Sequence, residues 1–130
     1  MKKILVNIVW NDNYGAYSDL IPGCVATHAT IDGVKEAYKS ALEFHIEGSD
    51  DEDLPECLKE EYELEYELAV SALLHYYDKI LTRAALSRIT GINQRQLGHY
   101  LNGYRNPRKD KRELLLNGLH KRGQEFLSVK

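Results

Sequence analysis

Residues 82–107, TRAALSRITGINQRQLGHYLNGYRNP, constrain the fold of this 130-residue chain more than any other stretch. A first helix is predicted from about Arg83 to Thr90. Its inward-facing stripe has the spacing of one helical face and consists of Ala84, Leu86 and Ile89. Gly91 is expected to end this helix, because glycine adopts at little cost the left-handed conformation that commonly follows a helix. The stretch therefore begins with a short helix and a tight turn.

A second short helix is predicted directly after the turn, over Asn93–Leu101. Asn93 is a good N-cap, because its side chain accepts a hydrogen bond from an otherwise unpaired backbone N–H. The buried stripe of this helix consists of Leu97, Tyr100 and Leu101. Four polar residues remain near its exposed N-terminal half, namely Gln94, Arg95, Gln96 and His99.

These polar residues are of the types that read DNA. Glutamine and arginine form bidentate hydrogen bonds with adenine and guanine edges in the major groove. We therefore interpret Gln94, Arg95 and His99 as candidate contacts to base edges. Gln96 is expected to face either a base or the backbone. The alternative interpretation is a small helical hairpin with an ordinary solvated polar face.

The stretch resembles the helix-turn-helix of the phage-repressor (Cro/C1, or XRE) family, including the Asn102-Gly103 end and the Asn106-Pro107 that follow. The resemblance implies that Asn93–Leu101 is the recognition helix and that Arg83 meets a phosphate. A basic cluster follows in the sequence and is expected to supply some phosphate contacts, from Arg105, Arg108, Lys109, Lys111 and Arg112. The full set of DNA-binding candidates is Arg83, Asn93, Gln94, Arg95, Gln96, His99 and Arg105.

The net charge of −3 hides two halves of opposite sign. Residues 1–69 contain 16 acidic and 5 basic residues, a net charge of −11, whereas residues 70–130 contain 4 acidic and 12 basic residues, a net charge of +8. A basic half is expected of a module that neutralises phosphates. An acidic half would repel DNA, so we expect it to face another partner, such as a basic protein.

Length and composition suit one domain or two small ones, each with a marginal core that oligomerisation often supports. No apolar run approaches the roughly 20 residues of a membrane span. The strand-like start MKKILVNIVW is not followed by a small-residue cleavage site. Cys24 and Cys57 do not make a disulfide framework, and we expect a buried thiol and a loop thiol. These features favour a cytoplasmic bacterial protein.

The N-terminal half begins with the pattern of three short strands. Apolar residues alternate over Lys3–Trp10, which predicts a strand with a well-buried face. Asn11-Asp12-Asn13 predicts a turn into a second strand over Tyr14–Tyr17, so that the two form a hairpin. Ile21-Pro22-Gly23 interrupts the pattern before a third strand over Cys24–Thr27.

A helix and a further strand complete this predicted α+β unit. Thr30 or Asp32 caps the helix, which runs to about Glu47 and ends at Gly48. Its inner stripe is predicted to consist of Val34, Ala37, Tyr38, Ala41, Leu42 and His45. After an acidic connection, glutamates alternate with tyrosines and leucines over Glu61–Leu68. This alternation predicts a strand with one buried face and one anionic face.

The C-terminal half contains two further predicted helices. One spans Ala69–Leu81, with a core stripe of Val70, Leu73, Leu74, Tyr77 and Ile80. The other spans Asp110–Phe126, with a stripe of Leu114, Leu115, Leu119 and Phe126. The last helix has more leucines than a small bundle needs. The surplus either packs against a second copy or fills a four-helix core.

The run YGAYSDLIPGCVA over Tyr14–Ala26 resembles the Asp-Leu-Pro-Gly-Cys signature of HicB antitoxins. The helix after it resembles the family's helix in character, with Ala37 and Ala41 at its small positions. This resemblance implies an α+β fold with a small, partial RNase H-like antiparallel sheet and one helix, followed by an all-α helix-turn-helix domain. It implies a toxin-binding domain at residues 1–68 and a DNA-binding domain at residues 69–130.

HicB proteins bind a small basic mRNA interferase, HicA, and block its catalytic histidine, and the pair represses its own operon. The resemblance therefore implies two partners, a HicA-type toxin and double-stranded operator DNA, with no membrane partner. A homodimer or homotetramer is expected, because helix-turn-helix modules usually pair to read a palindrome. The alternative is a stand-alone transcriptional regulator whose N-terminal domain senses a small molecule or serves in assembly.

A nuclease is a third interpretation, because RNase H-like nucleases converge several carboxylates on two Mg²⁺ ions. However, a turn position explains Asp12, a cap position explains Asp32, and Asp19 ends its strand. The five histidines are scattered, and neither cysteine has the spacing of a metal ligand. We therefore expect no enzyme activity, no catalytic residue, no metal and no cofactor.

Overall fold

The computed structural model describes residues 1–130. The chain divides into two compact units, Met1–Ala69 and Val70–Lys130, and contains one four-stranded sheet and five α-helices. It is therefore an α+β protein, as the sequence predicts at this level. None of its helices combines the length and the apolar character that crossing a membrane requires.

The first unit contains all four strands and one α-helix. Its elements are β1 (Lys2–Asn11), β2 (Asn13–Tyr17), β3 (Val25–His28), α1 (Ile31–Glu47), a 3-10 helix (Glu56–Leu58) and β4 (Tyr62–Leu68). The predicted hairpin is confirmed, since β1 and β2 pair antiparallel through the turn at Asp12, which has a φ of 65°. Asparagine and aspartate tolerate such left-handed conformations better than most residues.

The sheet has the order β3-β2-β1-β4 and is mixed, so the prediction of an antiparallel sheet is wrong. β4 pairs parallel with β1, in the register Lys2↔Tyr62 to Ile8↔Leu68. The two hairpin steps make β3 parallel to β1. The long connection through α1 then returns the chain in the same direction at the opposite edge, as connections between parallel strands do.

One face of the sheet and α1 form the core of the first unit. Ile4, Val6 and Ile8 are fully buried, as are Val34 and Tyr38 of the helix. Thr30 is the N-cap, because its hydroxyl accepts from the Gly33 N–H at 3.0 Å, which leaves Asp32 in the first turn. The prediction that Gly48 ends α1 is confirmed, although with a φ of −85° rather than in a left-handed conformation.

Two predictions about the first unit need correction. Cys57 is buried in the 3-10 helix rather than exposed as a loop thiol. The alternation along β4 is confirmed, but Tyr62, Leu64 and Tyr66 are only half-buried, because β4 lies at the edge of the sheet. The intervening glutamates are exposed as predicted.

The second unit is all-α and contains α2 (Val70–Asp78), α3 (Arg83–Thr90), α4 (Gln94–Leu101) and α5 (Lys109–Leu127). α2 ends earlier than predicted, because the N–H groups of Ile80 and Leu81 both return to the Tyr77 carbonyl oxygen in a turn. Ile80 is consequently 61% exposed, and its assignment to the core stripe is wrong.

The stripe predicted for α5 is buried only in part. Leu115 is buried, whereas Leu114 is 43% exposed and Phe126 is 65% exposed. Those two side chains therefore do not fill a four-helix core within one chain. α5 approaches α3 closely at Gly118, where an added Cβ would overlap the carbonyl oxygen of Ile89.

Candidate nucleic-acid interface

Local hydrogen bonds define the α3–α4 pair. Thr82 caps α3, since its hydroxyl accepts from the Ala85 N–H at 3.0 Å. Gly91 ends the helix with a φ of 76°, and its N–H donates to the Ser87 carbonyl oxygen at 2.8 Å. Asn93 caps α4, with its Oδ1 accepting from Gln96 N–H at 2.8 Å. The predicted roles of Gly91 and Asn93 are confirmed.

The core between the two helices fixes the direction of α4. Leu97 and Tyr100 of the predicted stripe are buried, and Leu86 of α3 is buried with them. The prediction did not include Ile92 and Thr90, which are also buried. Within the bend, the Thr90 hydroxyl donates to the Leu86 carbonyl oxygen at 2.8 Å and accepts from the Ile92 N–H at 3.2 Å. The bend is therefore stabilised by a buried hydroxyl that both donates and accepts a hydrogen bond.

Five of the seven predicted DNA-binding residues lie together. They line a shallow groove of about 290 Å³, formed by Asn93, Arg95, Gln96, His99 and Arg105. The groove runs along α4 from its N-cap to His99 and the following loop. Its N-terminal end lies where unpaired N–H groups and the helix dipole favour an anion. Its two guanidinium groups and its amide donors are suited chemically to phosphate oxygens and base edges.

The loop after α4 brings Arg105 to this groove. The N–H groups of Tyr104 and Arg105 both donate to the His99 carbonyl oxygen, at 3.0 and 3.4 Å. Gly103, with a φ of 77°, provides the left-handed residue that the reversal requires. These backbone contacts hold the loop against α4 and so place Arg105 in the groove.

Gln96 and Arg83 have partners that the sequence did not predict. The Gln96 Nε2 donates to the Tyr100 Oη at 2.6 Å, which fixes this side chain along α4. Arg83 lies outside the groove, and its Nη2 donates to Asp78 Oδ1 at 3.3 Å. Its Nη1 would lie 3.0 Å from a Cβ at Gly98, so the guanidinium borders α4. Gln94 is exposed on α4 and also lies outside the groove lining.

Sequence reasoning missed Tyr104, which is 77% exposed and packs its ring 6.0 Å from that of His99. An exposed aromatic side chain next to basic residues stacks on bases or sugars in many nucleic-acid sites. The Asn-Gly-Tyr-Arg order, an aromatic residue inside a turn, was the available signal.

Carboxylates and histidines do not form a metal centre. The chain contains no group of three or more histidine, cysteine, aspartate or glutamate residues placed to hold a metal ion. Asp12 lies in the hairpin turn, Asp19 follows β2, and Asp32 lies in the first turn of α1. Among the predicted sites, the groove at α4 is therefore the one at which the candidate side chains lie together.

Comparison of the chain with protein-family models gives no match, and comparison with curated proteins gives none either. A functional assignment therefore depends on the residues and on their geometry.

Proposed function

We propose that this chain is a two-domain antitoxin and repressor of the HicB type. A HicB-like domain precedes a repressor-like helix-turn-helix domain. Its N-terminal unit binds and neutralises a small basic mRNA interferase, and its C-terminal unit represses the operon by binding operator DNA. The observation that carries the proposal is the cationic groove that runs along α4 to the following loop, within a unit of net charge +8. The resemblance of Tyr14–Ala26 to the HicB signature supports the antitoxin role.

In the proposed DNA complex, the N-terminal half of α4 enters the major groove. Arg95 is exposed and presents a planar pair of donors suited to guanine O6 and N7, and Gln94 presents an amide suited to adenine. Arg105 contributes a phosphate contact from the loop. The Gln96 side chain, which donates to Tyr100 Oη, contacts the DNA backbone. Two copies read a palindromic operator, and the exposed Leu114 and Phe126 suit pairing of α5.

Substitution at Arg95 tests the DNA-binding half of the proposal. Loss of a bidentate contact costs about 1–3 kcal/mol of discrimination, so Arg95→Ala should weaken specific operator binding about 5- to 150-fold. The matched control is Arg122→Ala on α5, where Arg122 pairs with Glu125 outside the groove. Toxin neutralisation should be unchanged in both variants. Equal loss of operator binding in both variants would contradict a specific role for Arg95. Loss of toxin neutralisation in Arg95→Ala would contradict separate surfaces for toxin and DNA.

Co-expression tests the antitoxin half. The small open reading frame adjacent to this gene is expressed with and without the chain, and growth and complex formation are measured. Growth arrest that the chain relieves, together with a stable complex, would support the antitoxin role. If the neighbour is not toxic and forms no complex, the stand-alone transcriptional regulator becomes the better interpretation.

A further inference from the structure

β4 is an edge strand of seven residues, and β1 is its only partner in the sheet. An edge strand presents backbone N–H and C=O groups with which another strand can pair. The opposite edge, β3, has only four residues. The longer edge is therefore the better template for an added strand.

The register shows which residues of β4 direct their backbone N–H and C=O groups toward the unpaired edge. Glu61 accepts from the Lys2 N–H at 3.2 Å, and Ala69 donates to the Ile8 carbonyl oxygen at 2.8 Å. Backbone groups alternate in direction along a strand, so residues an even number of positions from these also bond to β1. The N–H and C=O groups of Tyr62, Leu64 and Tyr66 consequently point away from β1 at the free edge.

A groove of about 370 Å³ runs beside this edge, between β4 and α1. Its strand wall is formed by Tyr62, Leu64 and Tyr66, and its floor includes Leu42. The Tyr66 hydroxyl donates to the Lys35 carbonyl oxygen at 3.3 Å, which ties the wall to the helix. Burial, and then the nearby carboxylates of α1, raise the pKa values of Tyr62 and Tyr66, so both phenols stay neutral. The helix side of the groove carries charged residues, namely Lys35, Glu36, Lys39 and Glu43. The strand side thus offers the neutral and apolar surface to alternate side chains of an added strand.

The other face of β4 is anionic. Glu63 and Glu65 are exposed, and Glu67 lies on the same face. Side chains directly opposite each other on neighbouring strands interact, and like charges in these positions destabilise the pair. A second β4 aligned in register would place glutamate near glutamate, whereas lysine or arginine in those positions would be favoured.

We propose that the free edge of β4 binds an extended segment of a basic partner protein as a fifth strand. The segment alternates apolar residues, which enter the groove between β4 and α1, with lysine or arginine residues opposite the glutamates. The identity of this partner as the toxin rests on the proposed function. The docking mode rests on β4 itself, and it is a known way in which proteins recognise peptides.

A synthetic peptide tests the docking mode directly. The probe is a blocked seven-residue peptide of alternating valine and lysine, matched in length to β4 and titrated into the full chain. A peptide of the same composition with its valines grouped is the control, and should bind at least roughly tenfold more weakly if alternation matters. Equal binding of the two peptides would overturn the proposal, because it would show attraction by charge alone.

N-methylation of the peptide tests the backbone pairing without changing the protein. Methyl groups are placed either on the valine amides or on the lysine amides. One set faces β4 and should lower affinity roughly tenfold or more, because several backbone hydrogen bonds are lost, while the other set faces solvent and should bind nearly as well as the parent. Equal effects of the two sets would overturn the proposal.

Charge reversal tests the anionic face. The double variant Glu63→Lys with Glu65→Lys should lose the valine–lysine peptide and gain a valine–glutamate peptide, with far-ultraviolet circular dichroism confirming an unchanged fold. Failure of this exchange in the folded variant would overturn the assignment of the face.

Leu64→Pro links the docking mode to the partner, since proline is tolerated where the replaced N–H faces outward from an edge strand. It should abolish binding of the peptide and of the co-expressed neighbour. A complex with the neighbour that survives Leu64→Pro would overturn the inference and leave the antitoxin role standing.

Peptide binding as predicted, with a neighbour that is neither toxic nor bound, would support the edge and count against the antitoxin role. A variant that only lowers the oligomeric state would assign the edge to a second copy and overturn the basic partner.

Discussion

The two long helices of the molecule have contrasting roles. α1, with 17 residues, buries Val34, Tyr38 and Leu42 against the sheet. α5, with 19 residues, buries only Leu115 and instead brings Gly118 against the backbone of α3. α1 therefore stabilises its unit through the volume of its buried side chains, whereas α5 depends on a close approach to the backbone of α3. Packing at α1 should fail when volume is removed, and packing at α5 when volume is added at Gly118.

The largest expected effect is removal of Tyr38, the largest fully buried side chain of the chain. Tyr38→Ala should lower the free energy of unfolding by about 3–5 kcal/mol, because a large cavity remains in the core. Trp10 in β1, the single tryptophan, reports unfolding of the first unit by fluorescence.

Tyr38→Phe is the matched control. The Tyr38 hydroxyl is buried without a hydrogen-bond partner of ordinary geometry, and burial with the neighbouring Cys24 thiol raises its pKa. Loss of this hydroxyl should therefore change the free energy of unfolding by less than about 1 kcal/mol, or increase it. A large loss with phenylalanine would show that polar contacts, and not volume, hold this core.

The second-largest effect on stability is expected from an added methyl group at Gly118. Gly118→Ala should destabilise the second unit by about 1–3 kcal/mol, because its Cβ would overlap the Ile89 carbonyl oxygen. Gly123→Ala on the same helix meets open space and should stabilise by about 0.5–1 kcal/mol through helix propensity. Thermal unfolding followed by circular dichroism compares the two variants. Equal gains from both would mean that α5 does not depend on this close approach.

A smaller effect is expected at the cap of α4. Asn93→Ala removes the acceptor for the Gln96 N–H and should cost about 0.5–2 kcal/mol. Asn93→Ser keeps an acceptor and should lose little stability. Urea unfolding of both variants measures the difference. An alanine variant as stable as the parent would show that α4 is held by its buried stripe alone.

The smallest expected effect is a pH dependence at His75 of α2. Burial, and then Lys79, lower the pKa of His75 below 6.5, and Asp78 opposes them. As pH falls below that value the unfolded state binds the proton first, so the second unit should lose stability on acidification. Urea unfolding at about pH 7.5 and about pH 5.5 measures this loss, and His75→Gln should reduce it. An identical pH dependence in the glutamine variant would assign the loss to other groups.

The α3–α4 pair shows what local sequence determines. The bounds of α3, the left-handed Gly91 and the cap at Asn93 were predictable, since each depends on hydrogen bonds within four residues. The clustering of five candidate residues followed from the same short helix and loop. Partners such as Tyr100 for Gln96 and Asp78 for Arg83 were not predictable, because side-chain rotamers choose among several nearby groups.

Non-local features were predicted less well. The alternation of Tyr62–Leu68 predicted a strand but not its neighbour, because the pattern specifies which face is buried and not which edge is paired. Burial of Cys57 and exposure of Ile80 likewise depend on where the chain turns. The proposed function depends on resemblance and charge, and the operator-binding and co-expression experiments test it.

The parallel pairing of β1 with β4 has a consequence for how the protein forms. Lys2 pairs with Tyr62, so the central strand lacks one neighbour until some 60 residues have been made. Contacts so distant in sequence close slowly, whereas the short helices of the second unit form their contacts between near neighbours. During synthesis β1 exposes an open edge, and any chain that ends before β4 leaves this buried strand free to pair with other molecules. Completion of β4 therefore replaces the open edge of an apolar strand with an edge whose exposed side chains are glutamates.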